Sequence, residues 1–214
     1  MLHRSPLPDI ALPETTIYGA VFDAYDPGRP AITELDTGRS VTYGQLQLLI
    51  DATVANLFAR GIGPGSVVAL RQPNSIGFAV GLLAIARAGA TACLIGPTLI
   101  DAEARHLARL AGVTDAVRTA DLVLDPSVEV APVDVPAVSP GAVAAIPFSS
   151  GTTGHQKGVV LTHRSITANA AQFNAALSAS GIGEGTAVAA PLPFSHIYGL
   201  NTLLLSSLAA GRHV

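Results

Sequence analysis

Tryptophan is absent, cysteine, methionine and lysine each occur once, and only 13% of the 214 residues are charged. The single cysteine, Cys93, excludes an intrachain disulfide. Within the apolar run TACLIG it is expected as a buried, inert thiol, because free cysteine commonly packs as a small hydrophobe. Net charge is -3 with no run of Lys or Arg, so no electrostatic footprint for nucleic acid is present. No apolar run reaches the roughly 18 residues that a membrane span needs. The opening MLHRSPLPDIALPE is broken by proline and lacks the apolar centre of a secretory signal. A soluble, cytoplasmic protein with no membrane span is the expectation. What the chain has in quantity is apolar surface: 49% of residues are hydrophobic, which argues against disorder. The length suits one large domain or two small ones, with about 70% of the unfolded surface buried on folding.

Short apolar runs alternate with segments of helical period. Thr42 with Gln45 three residues on has the spacing of a capping box. Leu46, Leu49, Ile50, Val54, Leu57 and Phe58 then share one helix face, and Gly61 is a natural stop. VVALRQ predicts a strand. A helix from Asn74 or Ser75 to Gly89, the strand ATACLIG, a helix over 99–110 closed by Gly112, and the strand VTDAVR follow. The segment DPSVEVAPVDVPAVSPG predicts an extended connection. AVAAIPFSS and GVVLTH are expected as strands, followed by a helix over 164–179 opened by Thr162, the strand TAVAAPLPF, and an apolar helix over 198–210 capped by Gly211. His213 and Val214 look like the start of another strand. His3, His106 and His213 have no ligand spacing and are expected at the surface. Alternation of this kind predicts an α/β fold, with a mixed, mostly parallel sheet flanked by helices.

The densest chemistry lies in PFSSGTTGHQKGVVLTH. Glycines let backbone N–H groups approach an anion, hydroxyls donate further hydrogen bonds, and the one lysine supplies a point charge. The pattern G-x-x-x-x-G-K-[S/T] is not met, and a strand rather than a helix follows Lys157, so no helix terminus faces the phosphates. A strand–loop–strand clamp on a polyphosphate is the reading.

SSGTTGHQKGVVLTH resembles the phosphate-binding signature of the acyl-adenylate-forming superfamily, usually written SSGTTGxPKGVxLTH. VTYGQLQLLIDATVANLFARGIGPGSVVAL, AIARAGATACLIGPTL and PLPFSHIYGLNTLLLSSLAAG are similar to three further blocks of that family, in the same order. HIYGLN resembles the 4-coumarate–CoA ligase branch in particular. Gln156 departs from the usual proline, which leaves the loop less pre-set.

The resemblance implies an ATP-dependent acid–thiol ligase that forms an acyl-adenylate and passes the acyl group to CoA. It implies that Ser149, Ser150, Gly151, Thr152, Thr153, Gly154 and Lys157 hold the β- and γ-phosphates of ATP, with Mg²⁺ bridging them. It further implies that His196 stands beside the carboxylate of an aryl or fatty acid, and that Tyr198 and Thr202 line its pocket. His196 also fits a hydrogen-bonded histidine at a strand–helix junction, and Tyr198 fits plain packing. No protein-bound metal site is expected.

The resemblance implies that residues 1–214 are an incomplete N-terminal, AMP-binding domain of an acyl-CoA synthetase. On that reading the family's second adenine segment, its ribose-binding aspartate and its C-terminal lid domain with a lysine are expected to lie outside these 214 residues, and Lys157 is not expected to replace that lysine. Little or no activity of this chain alone is the expectation, and an open sheet edge suggests a homo-oligomer. Two alternatives remain: a fragment of a fatty-acyl-AMP ligase or amino-acid adenylation domain, and a non-catalytic nucleotide- or partner-binding module.

Overall fold

The computed structural model describes residues 9–23, 25–128, 133–149, 156–183 and 185–214. The described chain opens with α1 (Ile17–Phe22), the antiparallel hairpin β1 (Pro30–Thr33) and β2 (Ser40–Thr42), then α2 (Tyr43–Ala59). Next come β3 (Val67–Leu70), α3 (Ile76–Arg87), β4 (Thr91–Leu94), α4 (Asp101–Leu110) and β5 (Asp115–Val117). A single 3₁₀ turn, Thr119–Asp121, leads into the proline-rich connection. After it stand β6 (Val143–Ile146), β7 (Phe148–Ser149), β8 (Lys157–Gly158), β9 (Leu161–Thr162) and α5 (His163–Ala179). A π-helix, Tyr198–Leu205, runs straight into α6 (Ser206–Ala209).

The main sheet has five strands in the order β5-β3-β4-β6-β9. The first four are parallel and β9 is antiparallel to β6. Successive side chains of a strand point to opposite faces, and here each face meets its own core. Val68, Leu70, Ala92 and Leu94 enter the large core shared with α1, α2, α3 and α5. Ala69, Cys93 and Ile95 face the other way, onto Ala104 of α4. Burial pushes the Cys93 thiol up to about 12, so it is the inert thiol expected. Among the described residues no helix is long and apolar enough to cross a membrane.

Local signals account for the helix ends. Thr42 Oγ1 accepts from Gln45 N (3.2 Å) while Gln45 Oε1 accepts from Thr42 N (2.9 Å), completing the capping box. Ser75 caps α3 by accepting from Phe78 N (3.1 Å), and Thr162 caps α5 by accepting from Ser165 N (3.1 Å). Gly61 has φ +74°, a left-handed stop that glycine adopts without steric cost.

Four features differ from the sequence expectation. α1 and the β1–β2 hairpin are too short to carry a readable period. TAVAAPLPF does not form a strand of the main sheet: Ala187 makes one parallel bridge to His213, and Val188 N donates to His213 O (2.7 Å). His213 is half-buried rather than exposed, with Nε2 2.8 Å from Thr33 Oγ1. Finally, the helix expected over 198–210 begins as a π-helix.

His163, the first residue of α5, is fully buried and accepts at Nδ1 from Ile17 N (3.2 Å), so its proton sits on Nε2. Burial lowers its pKa from 6.5 to about 4. Between those values the unfolded chain binds a proton that the folded chain refuses. Stability is therefore expected to fall as pH drops from about 6.5 to about 4, by up to roughly 3 kcal/mol. Urea melts across that range test this. In His163→Asn, which keeps an acceptor near Nδ1, the pH slope should shrink; an unchanged slope would show that other groups cause it.

Candidate functional site

The candidate site grows from the carboxyl ends of two neighbouring strands, β4 and β6, where open α/β sheets bind ligands. β6 and β9 form the base of one long hairpin. Pro147 interrupts the ladder after β6, because it has no N–H to donate. Pairing resumes beyond it as β7–β8, with Phe148 opposite Gly158 and Ser149 opposite Lys157. Val159 N donates to Pro147 O (2.9 Å), which stitches the two halves together. A Cβ on Gly158 would come 3.0 Å from Ile146 Cγ2 and 3.4 Å from Phe148 Cε1, so glycine lets the strand lie close over both side chains.

Ser149 and Lys157 are exposed, directly across from one another at the outer end of this hairpin. A hydroxyl and an ammonium on facing positions can both reach an anion at the hairpin tip. Ser150, Gly151, Thr152, Thr153 and Gly154 lie outside the described residues. Among the described residues no group of three or more His, Cys, Asp or Glu side chains is placed to hold a metal ion.

The second half of the site is the irregular segment leading to the π-helix. Phe194 is buried and packs on Phe78 of α3, with ring centroids 5.5 Å apart. Ser195 Oγ lies 4.0 Å from where a Gly96 Cβ would stand, which sets the segment over the exit of β4. His196 N donates to Pro193 O (3.0 Å) and Leu200 N to His196 O (2.9 Å), so a turn passes directly into helix. His196 is exposed, and Tyr198 N approaches its Nδ1 at 3.4 Å. Tyr198 is 52% exposed and Thr202 is half-buried, four residues further along the π-helix. Ser206 N donates to Asn201 O, the i→i+5 bond of the wide turn, and the one hydroxyl proton of Ser206 is shared between the carbonyls of Asn201 and Thr202.

Sequence reading missed two residues here. Asn74 was legible only as a helix start, yet its side chain binds backbone 116 to 120 residues away. Nothing local to Asn74 signals such a contact. Gly199 lies inside HIYGLN, where nothing local marks a close approach, but a Cβ there would lie 2.2 Å from Pro193 O and 2.8 Å from Leu192 O. Only a residue without a side chain lets the turn fold back on the first turn of the π-helix.

The fold is an α/β domain whose β6–β9 hairpin is prolonged by β7 and β8 past the carboxyl edge of the sheet. Residues 22–214 match the family description "AMP-binding enzyme", and the chain belongs to that family. It is 34% identical to a 4-coumarate–CoA ligase 3 of Oryza sativa subsp. japonica, over 100% of this chain and 44% of that protein. Identity to 4-coumarate-CoA ligase 1 of Narcissus pseudonarcissus is 31%, over 100% of this chain and 45% of that protein. The chain thus spans less than half the length of these curated relatives.

Among solved structures, the inhibitor-bound N-terminal domain of FACL13 from Mycobacterium tuberculosis superposes with a TM-score of 0.72 at 26% identity. That match covers 93% of this chain and 57% of the other. A long-chain-fatty-acid-CoA ligase from Archaeoglobus fulgidus shares the fold with a TM-score of 0.79 at 20% identity, over 99% of this chain and 48% of that one. The mixed α/β sheet with flanking helices is thus the fold of adenylate-forming enzymes.

Gly199→Ala should lower stability by about 1–3 kcal/mol, the usual cost of forcing atoms into a packed site. A denaturant melt measures it, and Gly183→Ala, where a Cβ meets nothing within 4 Å, is the control. Equal effects of the two substitutions would contradict the close approach.

Proposed function

We propose that this chain is the N-terminal, AMP-binding part of an ATP-dependent acyl- or aryl-CoA ligase of the 4-coumarate–CoA ligase type. The observation that carries the reading is the β7–β8 hairpin: SSGTTGHQKG spans two paired strands, with Ser149 and Lys157 facing each other at its outer end. Support comes also from family membership and from relatives over the whole chain that are named as CoA ligases.

In the proposed reaction the substrate carboxylate attacks the α-phosphorus of ATP, pyrophosphate leaves, and the CoA thiolate then displaces AMP from the acyl carbon. The difficulty of the first step is bringing a carboxylate up to a polyanion, which requires neutralised charge and in-line placement. Ser149, Ser150, Gly151, Thr152, Thr153, Gly154 and Lys157 would hold the β- and γ-phosphates. Mg²⁺ bound to those phosphates would supply further neutralising charge. His196 would donate to the acid's carboxylate, and Tyr198 and Thr202 would border its ring or chain. His196 follows Ser195, which lies near Gly96 beyond the end of β4, and Tyr198 and Thr202 stand on the π-helix that continues from it.

The 214-residue chain alone would have little or no ligase activity, because the remaining half of its relatives' length has no counterpart here. Self-association of the isolated chain, through apolar side chains such as Leu35 (92% exposed) and Val160 (62% exposed), belongs to the same proposal. The reading is tested by pyrophosphate release from the complete protein with a panel of aryl and fatty acids. Lys157→Ala should lower kcat/KM for ATP roughly ten- to a hundredfold, the worth of one charged hydrogen bond. No activation of any acid, or CoA-ester formation at ordinary turnover by the 214-residue chain alone, would contradict it.

A further inference from the structure

We propose that Asn74 is a positioning residue that anchors the His196–Tyr198 segment to the buried helix α3, and so sets the acid-binding half of the site. The inference rests on the ligase reading for what that segment binds, while the anchor itself stands on geometry alone.

The segment 190–194 reads APLPF. Pro191 and Pro193 have no N–H, so neither can join a sheet ladder as a donor. Proline also holds the residue before it in extended backbone, here Ala190 and Leu192. In an extended chain, groups two residues apart point the same way, which turns the carbonyls of Ala190 and Leu192 to one side. Backbone polar groups left in such a place need partners.

One amide supplies them. Asn74 Nδ2 donates to Ala190 O at 3.1 Å and to Leu192 O at 2.8 Å, and its Oδ1 accepts from Phe194 N at 2.8 Å. A primary amide carries two donors on nitrogen and an acceptor on oxygen, and here both donors and the acceptor are used on three alternate residues of one segment. No other natural side chain of that length offers this set.

The other end of the anchor is rigid. Asn74 precedes Ser75, the N-cap of α3, and every residue from Ile76 to Ala86 is buried. Phe78 of the same helix packs on Phe194. His196 follows Phe194 by two residues, and Gly199 closes the turn against Pro193. The position of His196 and Tyr198 over β4 is thus inherited from α3 through the Asn74 amide.

Asn74 is itself exposed, so its loss should open the segment without unfolding the core. Hydrogen exchange on the 214-residue chain tests the anchor at single amides. In Asn74→Ala the Phe194 amide should exchange roughly tenfold faster, the worth of one hydrogen bond, while amides inside α3 keep their rates. In Asn74→Asp, which retains the acceptor but loses both donors, Phe194 should stay protected. Phe194 exchange unchanged in Asn74→Ala, or equally fast in both variants, would overturn the anchor.

Kinetics on the complete protein test the positioning. Asn74→Ala should raise KM for the carboxylic acid roughly tenfold and leave KM for ATP within about twofold. An unchanged KM for the acid, or equal rises in both, would overturn the positioning role. Should the wild-type complete protein activate no acid at all, the ligase reading fails and the positioning role with it, while the exchange rates still decide the anchor.

Discussion

The burial of one apolar helix is the constraint around which the rest of this fold is arranged. α3 has no exposed residue between Ile76 and Ala86, so it must be covered on every side. It packs against β3 and β4, α2 and α1. Two glycines shape those contacts. A Cβ on Gly81 would stand 2.9 Å from Leu70 Cδ1, and one on Gly77 would stand 3.4 Å from Leu122 Cδ1. Close approach by α3 leaves the opposite face of the sheet to α4, and the parallel strands are buried on both sides as such sheets require.

The candidate site is built on the carboxyl edge of this frame in two different ways. The half proposed to bind phosphate is an extension of the sheet: β6 and β9 pair within the main sheet, Pro147 interrupts them, and β7 and β8 carry the pairing past the edge. The half proposed to bind the acid is not sheet at all. An irregular, twice-proline segment crosses the end of β4, held by a side-chain amide, a ring contact and a turn that tolerates only glycine at position 199. Rigidity in the first case comes from backbone ladders and in the second from single side chains. The second half is therefore the more sensitive to point substitution.

That difference also decides what could be read in the sequence. Capping box, glycine stops and apolar period expose α2, α3 and α4, because these signals act within a few residues of one another. The hairpin is legible for the same reason: SSGTTGHQKG is contiguous, and its flanking strands are apolar. The π-helix is not, since YGLNTLLL has the composition of an ordinary α-helix and nothing in it marks the i→i+5 bond from Ser206 N to Asn201 O. TAVAAPLPF has the composition of a strand, but Pro191 and Pro193 remove donors and Asn74 takes the carbonyls. His163 looks like the end of a strand and is instead a buried acceptor for α1, a contact 146 residues away in sequence. Long-range pairings of this kind carry no local signature.

The central claim is that the β7–β8 hairpin and the Asn74-held segment are two sides of one adenylate site. It is tested most directly by a crystal structure of the complete protein with a non-hydrolysable acyl-adenylate analogue. The account places the phosphate-mimicking group beside the hairpin that carries Ser149 and Lys157, with the acyl group reaching His196 and Tyr198. An analogue bound elsewhere, for instance in the cavity of about 470 Å³ lined by Arg71, Arg105 and Arg118, would contradict it.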